Sequence, residues 1–105
     1  MPITFETKAF ATLDATISNT VINMTQIGFT LAQLSQVKRA LVTVDAQSIR
    51  MTYDGSTPSA TFGHLAGSNV ASFYLEGNQN VKNLQFFRGG GTDAEITITL
   101  EKDLG

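Results

Sequence analysis

The sequence has no cysteine, no tryptophan and a single histidine, His64. The absence of cysteine excludes disulfide bridges, thiolate metal sites and cysteine nucleophiles, and it leaves the redox compartment open. A lone histidine excludes a zinc site built from several histidines. We therefore expect neither a metal ion nor another cofactor in this protein.

Charged residues are also scarce, at 15% of the 105 residues, whereas hydrophobic residues make up 42%. That hydrophobic content excludes the disordered class, which combines low hydrophobicity with high net charge. The net charge is −2 and the lysines and arginines are scattered, so no basic stripe is available for a phosphate backbone. Direct binding to nucleic acid is not expected.

Long apolar runs are missing as well. No segment approaches the ~20 apolar residues of a membrane span, and the first ten residues, MPITFETKAF, lack the basic start and apolar core of an export signal. We expect a soluble protein with no membrane association. A second hydrophobic core would need more chain, so residues 1–105 are predicted to form one domain, with residues 1–8 as a candidate extended N-terminal arm.

What the sequence does contain is short alternating runs rich in Thr, Val, Ile and Phe, which predict β-strands. In the run AEITITLEK, Ile96, Ile98 and Leu100 share one face. The runs at 39–46, 48–55, 70–77 and 81–88 also read as strands. We predict a hairpin from 39–46 and 48–55, and a first strand pair from 7–14 and 15–25 that turns near Asp14.

One segment departs from this alternation. In FTLAQLSQV, Leu31, Leu34 and Val37 recur every three residues, and Thr30 followed by Gln33 fits a helix capping box. This pattern predicts at most one short helix near 31–37, with a buried crossing loop as the alternative. Together with seven or eight short antiparallel strands, it predicts an all-β fold, a β-sandwich or jelly-roll-like barrel.

The most varied polar chemistry lies in RMTYDGSTPSATFGH, residues 50–64. Asp54 and Gly55 are typical of a turn, and Pro58 fixes its own backbone angle, so we interpret these three residues as a structural turn. His64 has no evident orienting acid or nucleophile. The sequence therefore predicts no catalytic residues; a carboxylate pair among the nine acids, as in glycoside hydrolases, is the enzyme alternative.

Apolar side chains are predicted on both faces of the strand within NVKNLQFFRGGGTD, residues 80–93. A two-layer sandwich of this length cannot cover both faces with its own chain. Tyr74, Val81 and Phe87 are therefore predicted to lie at a subunit interface. The alternative is burial beneath residues 30–37. Symmetric self-association is the resulting expectation.

A longer pattern runs through residues 40–100. It consists of Ile-Arg-x-x-x-Asp-Gly-x-x-Pro-x-Ala, a Gly-His pair, a Leu-x-Gly turn, an Asn-Leu pair before an aromatic strand, and a final Thr-rich strand. The matching positions are Ile49, Arg50, Asp54, Gly55, Pro58, Ala60, Gly63, His64, Leu75, Gly77, Asn83, Leu84, Phe86 and Arg88. In this pattern the chain resembles small structural proteins of tailed phages, and most of all capsid decoration or cement proteins. Residues 1–39 carry no part of it.

The resemblance implies a virion protein on the capsid surface, present in the host cytoplasm during assembly. It implies a small β-sandwich that associates as a homotrimer, binds the major capsid protein and stabilises the mature head shell. Two alternatives stay open: a head-tail joining or tail-associated virion protein, and a carbohydrate-binding β-sandwich module. For the second, Tyr53 and Tyr74 are candidate stacking residues, although tryptophan is absent.

Overall fold

Two antiparallel four-stranded sheets face each other in this computed structural model, which describes residues 6–69 and 72–104. Sheet I has the strand order β1-β8-β3-β6 and sheet II the order β2-β7-β4-β5. The all-β sandwich predicted from the sequence is confirmed. The elements are β1 (Thr7–Ile17), β2 (Ile22–Asn23), α1 (Met24–Ile27), α2 (Leu31–Gln36), β3 (Val37–Ala46), β4 (Ser48–Thr52), β5 (His64–Gly67), β6 (Phe73–Glu76), α3 (Asn78–Lys82), β7 (Gln85–Arg88) and β8 (Ala94–Asp103).

The hydrophobic core lies between the sheets and follows from the alternation of side chains along each strand. On β8 the residues Ile96, Ile98 and Leu100 are fully buried, as their shared face predicted. Ile49 on β4 and Phe86 on β7 cover them from sheet II and are also fully buried. One face of each sheet therefore makes the core, and the other face is available for contacts outside the domain.

The predicted first strand pair is wrong, because β1 runs without a turn from Thr7 to Ile17 and pairs with β8. Asp14 lies in the middle of this strand, on its outer face. Its carboxylate accepts a hydrogen bond from the Thr97 hydroxyl at 2.9 Å. An outward acid with such a partner is tolerated in a strand, although aspartate favours turns.

The predicted hairpin of β3 and β4 is also wrong, since the two strands belong to different sheets. Only Gln47 separates them, and its φ of 64° makes it the one non-glycine residue with positive φ in the described part of the chain. This single residue redirects the chain from sheet I to sheet II. β3 pairs instead with β6 and β8, which lie far away in sequence.

Helix α2 confirms the helix predicted near residues 31–37. The Thr30 hydroxyl accepts from the Gln33 amide at 3.1 Å, and the Gln33 side chain accepts from the Thr30 amide at 2.9 Å. The expectation of at most one helix is wrong, because α1 and α3 are helical too. Asn23 and Gln26 form a second complete capping box at the start of α1.

Helix α3 covers the first two residues of the strand predicted over residues 81–88, and the strand β7 begins only at Gln85. Its first residue, Asn78, donates through its side-chain amide to the carbonyls of Leu34 and Val37 at 3.0 and 2.8 Å. These bonds hold α3 against the end of α2 and the start of β3. The five-residue helix closes one end of the sandwich.

The predicted N-terminal arm over residues 1–8 falls partly outside the described residues, which begin at Glu6. Thr7 and Lys8 already belong to β1 and pair with Asp103 and Lys102. For these residues the arm is replaced by a strand. No helix within residues 6–69 and 72–104 combines the length and the apolar character needed to cross a membrane.

Candidate functional site

The three residues predicted at a subunit interface do not form one surface. Tyr74 is 49% exposed on the outer face of sheet I, whereas Phe87 lies on the outer face of sheet II, because its neighbour Phe86 is fully buried in the core. Val81 is fully buried and belongs to the core beneath α3. Val81 therefore cannot lie at a subunit interface. Tyr74 and Phe87 lie on opposite sides of the sandwich.

The outer face of sheet I carries hydroxyl groups and carboxylates in register. Thr12 and Thr99 hydrogen-bond across β1 and β8 at 2.9 Å. Further along the same face, the Thr97 hydroxyl lies 2.9 Å from an oxygen of Asp14 and 2.7 Å from an oxygen of Asp45. A hydroxyl has a single proton to donate, so it satisfies only one of the two carboxylates at a time. This end of the face is polar and acidic.

At the other end of the same face, Arg39 is the centre of a cluster that sequence reasoning missed. Its guanidinium donates to Glu101 at 2.7 Å and lies 4.1 Å from the ring centroid of Tyr74. The Thr7 hydroxyl donates to the same Glu101 oxygen at 2.6 Å. This bond, together with Arg39, holds the pKa of the Glu101 carboxyl below its ordinary value. Arg39 covers one face of Tyr74, which is therefore a poor platform for a sugar.

A recess of about 710 Å³ opens beside the Arg39 cluster. Four of its five charged lining residues form ion pairs, Lys38 with Asp103 at 3.5 Å and Arg39 with Glu76 at 3.8 Å, and the fifth is Glu6. One surplus carboxylate on an open, solvated surface gives only a weak bias against anions. The recess therefore indicates no ligand class.

The outer face of sheet II is more apolar. Arg50 on β4 stands opposite Leu65 on β5 and opposite Phe87 on β7. Leu65 is 58% exposed. The Arg50 guanidinium donates to the Gly63 carbonyl at 3.0 Å, while its Nε is buried without a hydrogen-bond partner among the described residues. The row Leu65, Arg50 and Phe87 is an apolar strip with one cation at its centre, and we call it the sheet II strip.

The polar stretch that follows β4 folds as a turn. The Asp54 carboxylate accepts from the amide of Ser56 at 3.0 Å and from the Ser56 hydroxyl. These two donors hold the pKa of Asp54 below its ordinary value. Gly55 has φ +91°, a conformation that favours glycine. Pro58 is fully buried, so it anchors the turn in the core.

This turn and the start of β5 enclose a cavity of about 330 Å³, which we call the turn cavity. It is lined by Thr52, Tyr53, Asp54, Ser56, Phe62, Gly63 and His64. Tyr53 and His64 stack with ring centroids 5.6 Å apart and an interplanar angle of 18°. Phe62 is 53% exposed on its rim. The cavity thus brings together Asp54 and His64, which the sequence placed ten residues apart, and it adds Phe62, an exposed aromatic next to the Gly-His pair.

Both walls of the turn cavity are held by sheet II. The carbonyl of Ser56 accepts from the Thr52 hydroxyl at 2.6 Å and from the Gln85 side chain at 3.2 Å. Gly63 on the opposite wall has φ +119°, and a Cβ there would lie 3.0 Å from the Met51 carbonyl oxygen. The walls are therefore fixed before any ligand arrives.

The turn cavity contains one carboxylate, that of Asp54. Asp54 is ionised at neutral pH, and its lowered pKa is opposite to the raised pKa that a carboxyl general acid needs. Within residues 6–69 and 72–104, no group of three or more His, Cys, Asp or Glu side chains is placed to hold a metal ion. What the cavity offers is aromatic surface and one carboxylate acceptor.

Comparison of the chain with protein-family models, with curated proteins and with solved structures found no match in any of the three.

Proposed function

We propose that this chain is a virion structural protein of a tailed phage, and within that class a capsid decoration protein. In this role it binds the major capsid protein on the outside of the mature head and associates with itself, most simply as a homotrimer. It performs no chemical step. The proposal rests on the sequence resemblance, and the arrangement of the matching residues supports it.

One observation carries the proposal: the matching residues around the turn act together as one structural unit. Arg50 holds the carbonyl of Gly63, Asp54 closes the turn through Ser56, and Pro58 anchors the turn in the core. The motif therefore builds a braced loop on sheet II and needs no bound group to fix its conformation. This is what a scaffold for adhesion requires.

The outer faces supply the surfaces for adhesion. The sheet II strip exposes Leu65 beside Phe87, and apolar side chains of this kind form the centre of protein interfaces. We assign self-association to this strip. The outer face of sheet I is rich in threonine hydroxyls and carboxylates and is suited to a polar contact with the shell.

The mechanism of stabilisation is linkage. A protein that binds the expanded shell and not its disrupted form stabilises the expanded shell by RT ln(1 + [L]/Kd) per site, where [L] is the free protein concentration. At a concentration of about 100 times the Kd, this amounts to about 2.7 kcal/mol per site. Repetition over the shell multiplies the effect, so modest affinity suffices.

The test is co-sedimentation of the purified protein with unexpanded and with expanded heads of the phage that encodes it. We expect binding to expanded heads only, with a rise in the temperature at which they release DNA. If the protein binds neither expanded nor unexpanded heads, the proposal is wrong. Electron microscopy of labelled protein separates the head-tail alternative, because signal at a single vertex or on the tail replaces signal over the whole head.

A further inference from the structure

We propose that the turn cavity is a binding site for one residue of a neutral sugar. The proposal concerns a small ligand and stands apart from binding to the capsid. Three features of the cavity carry it: an exposed aromatic side chain on a fixed backbone, a stacked aromatic pair, and a carboxylate with a free oxygen.

The first feature is Phe62. Its backbone is fixed, because the Ser59 amide donates to the Phe62 carbonyl at 3.0 Å and the Phe62 amide donates to the Ser59 carbonyl at 3.4 Å. A ring that is 53% exposed on such a tight turn is presented to solvent by a fixed loop and not by a frayed one. The apolar C–H face of a pyranose covers a ring of this kind, which removes apolar surface from water.

The second feature is the stack of Tyr53 on His64, at 5.6 Å between centroids. The stack connects the end of β4 to the start of β5 and makes an aromatic wall next to Phe62. Because both residues adjoin strands of sheet II, the wall keeps its place. Three aromatic side chains in the lining of one cavity favour a ligand with an apolar face.

The third feature is Asp54. One of its oxygens accepts both bonds from Ser56, and the other has no hydrogen-bond partner among the described residues. An ionised carboxylate accepts hydrogen bonds and donates none, so its free oxygen selects ligand groups that donate. Adjacent sugar hydroxyls are such donors.

The charges around the turn cavity further restrict the class of ligand that it can bind. Among the described residues, Asp54 is the one carboxylate that lines the turn cavity, and no lysine or arginine lines it. Phosphate and carboxylate groups are repelled by this arrangement, whereas a neutral sugar is not. A cavity of about 330 Å³ lies at the small end of ligand sites, which suits a single sugar ring.

The experiment is a titration of the full-length, ¹⁵N-labelled protein with methyl glycosides of glucose, galactose, mannose and N-acetylglucosamine, followed by NMR. We expect at least one glycoside to shift the amide signals of residues 53–56 and 62–64 with millimolar affinity. Phe62→Ala and Asp54→Asn should each weaken that binding about tenfold, the order expected for loss of one aromatic contact or one charged acceptor. The asparagine side chain in Asp54→Asn retains an oxygen for the Ser56 bonds, so the turn persists while the charge is lost.

Leu31→Ala is the control, because Leu31 is an apolar residue that is 77% exposed at the start of α2, and it lines neither the cavity nor the sheet II strip. It should leave sugar binding unchanged. The proposal fails if none of the glycosides shifts these signals, or if binding survives both Phe62→Ala and Asp54→Asn. Tighter binding of uridine at the same residues also overturns it in favour of a nucleoside site. Co-sedimentation of Phe62→Ala with expanded heads keeps this test separate from the capsid proposal. We expect this variant to lose sugar binding and to keep head binding.

Discussion

Arg39 and Glu101 form an ion pair across β3 and β8, with 2.7 Å between the guanidinium Nε and the carboxylate oxygen. Glu101 is the only buried charged residue in the described part of the chain, and it lies near the end of strand β8 on its polar outer face. The Arg39 guanidinium therefore compensates the buried charge of Glu101 at this end of sheet I. It leads to the first two predictions.

Glu101→Gln should lower the free energy of unfolding by about 1–2 kcal/mol, the range for a lost hydrogen bond to a charged group that stays partly solvated. The amide keeps the shape of the side chain, so the effect isolates the charge. Urea denaturation measures it. Glu95→Gln is the control on the same strand; Glu95 is exposed, and its replacement should change stability by less than about 0.5 kcal/mol. Equal losses in both variants contradict the prediction.

Acidification should destabilise the protein through the same residue. The Thr7 hydroxyl and Arg39 lower the pKa of Glu101 in the folded state. A carboxyl with a lowered folded pKa stabilises the fold above its unfolded pKa, and this contribution is lost as the pH falls through the folded value. We expect the free energy of unfolding to decrease below about pH 4.3, the ordinary glutamate pKa. Glu101→Gln should flatten this decrease, and an unchanged pH slope in the variant counts against the assignment.

Gly63→Ala should destabilise the protein by about 1–3 kcal/mol, the range for a residue forced into a sparsely populated backbone region. The cause is its φ of +119° together with the Met51 carbonyl 3.0 Å from the added Cβ. Gly91→Ala is the matched control, since nothing described lies within 4 Å of a Cβ there, and it should stay within about 0.5 kcal/mol of the wild type. Chemical denaturation of the two variants gives their free energies of unfolding, and equal values for both contradict the prediction.

Leu65→Lys should weaken self-association if the sheet II strip is the contact between subunits. The new ammonium group would lie in the interface opposite Arg50, so it would be buried beside a like charge and without a counter-ion, which is costly. Leu31→Lys is the control, because Leu31 is 77% exposed at the start of α2, away from the strip. Light scattering after size exclusion gives the masses. A wild type that is monomeric at micromolar concentration, or equal masses for the two variants, removes the assignment.

The strands could be predicted from the sequence more faithfully than their partners. Alternation of side chains is local, so the faces of β8 could be read from Ile96, Ile98 and Leu100 alone. Pairing is not local: β3 and β4 look like a hairpin until Gln47 turns the chain into the other sheet. No short pattern distinguishes such a crossing from a tight turn.

Helix α2 could be predicted from the sequence, whereas the position of Val81 and the turn cavity could not. Thr30 and Gln33 indicated α2, and the same spacing of Asn23 and Gln26 marks α1, although the asparagine favoured neither a helix nor a strand on its own. Val81 could not be placed from the sequence, since over five residues a helix and a strand have similar apolar patterns. The approach of Asp54 to His64 depends on the pairing of β4 with β5, which is a tertiary fact.

The antiparallel pairing of β1 with β8 has a mechanical consequence. Thr7 stands opposite Asp103, so the outer ends of the two strands lie side by side at one end of sheet I. A force that pulls these two positions apart acts across the strands and opens their hydrogen bonds one pair at a time, like a zipper. The same protein pulled through Thr7 on β1 and Ala94 on β8, which lie at opposite ends of this strand pair, would be loaded along the strands and would strain many of these bonds together. Its resistance to tension therefore depends on the points where it is held.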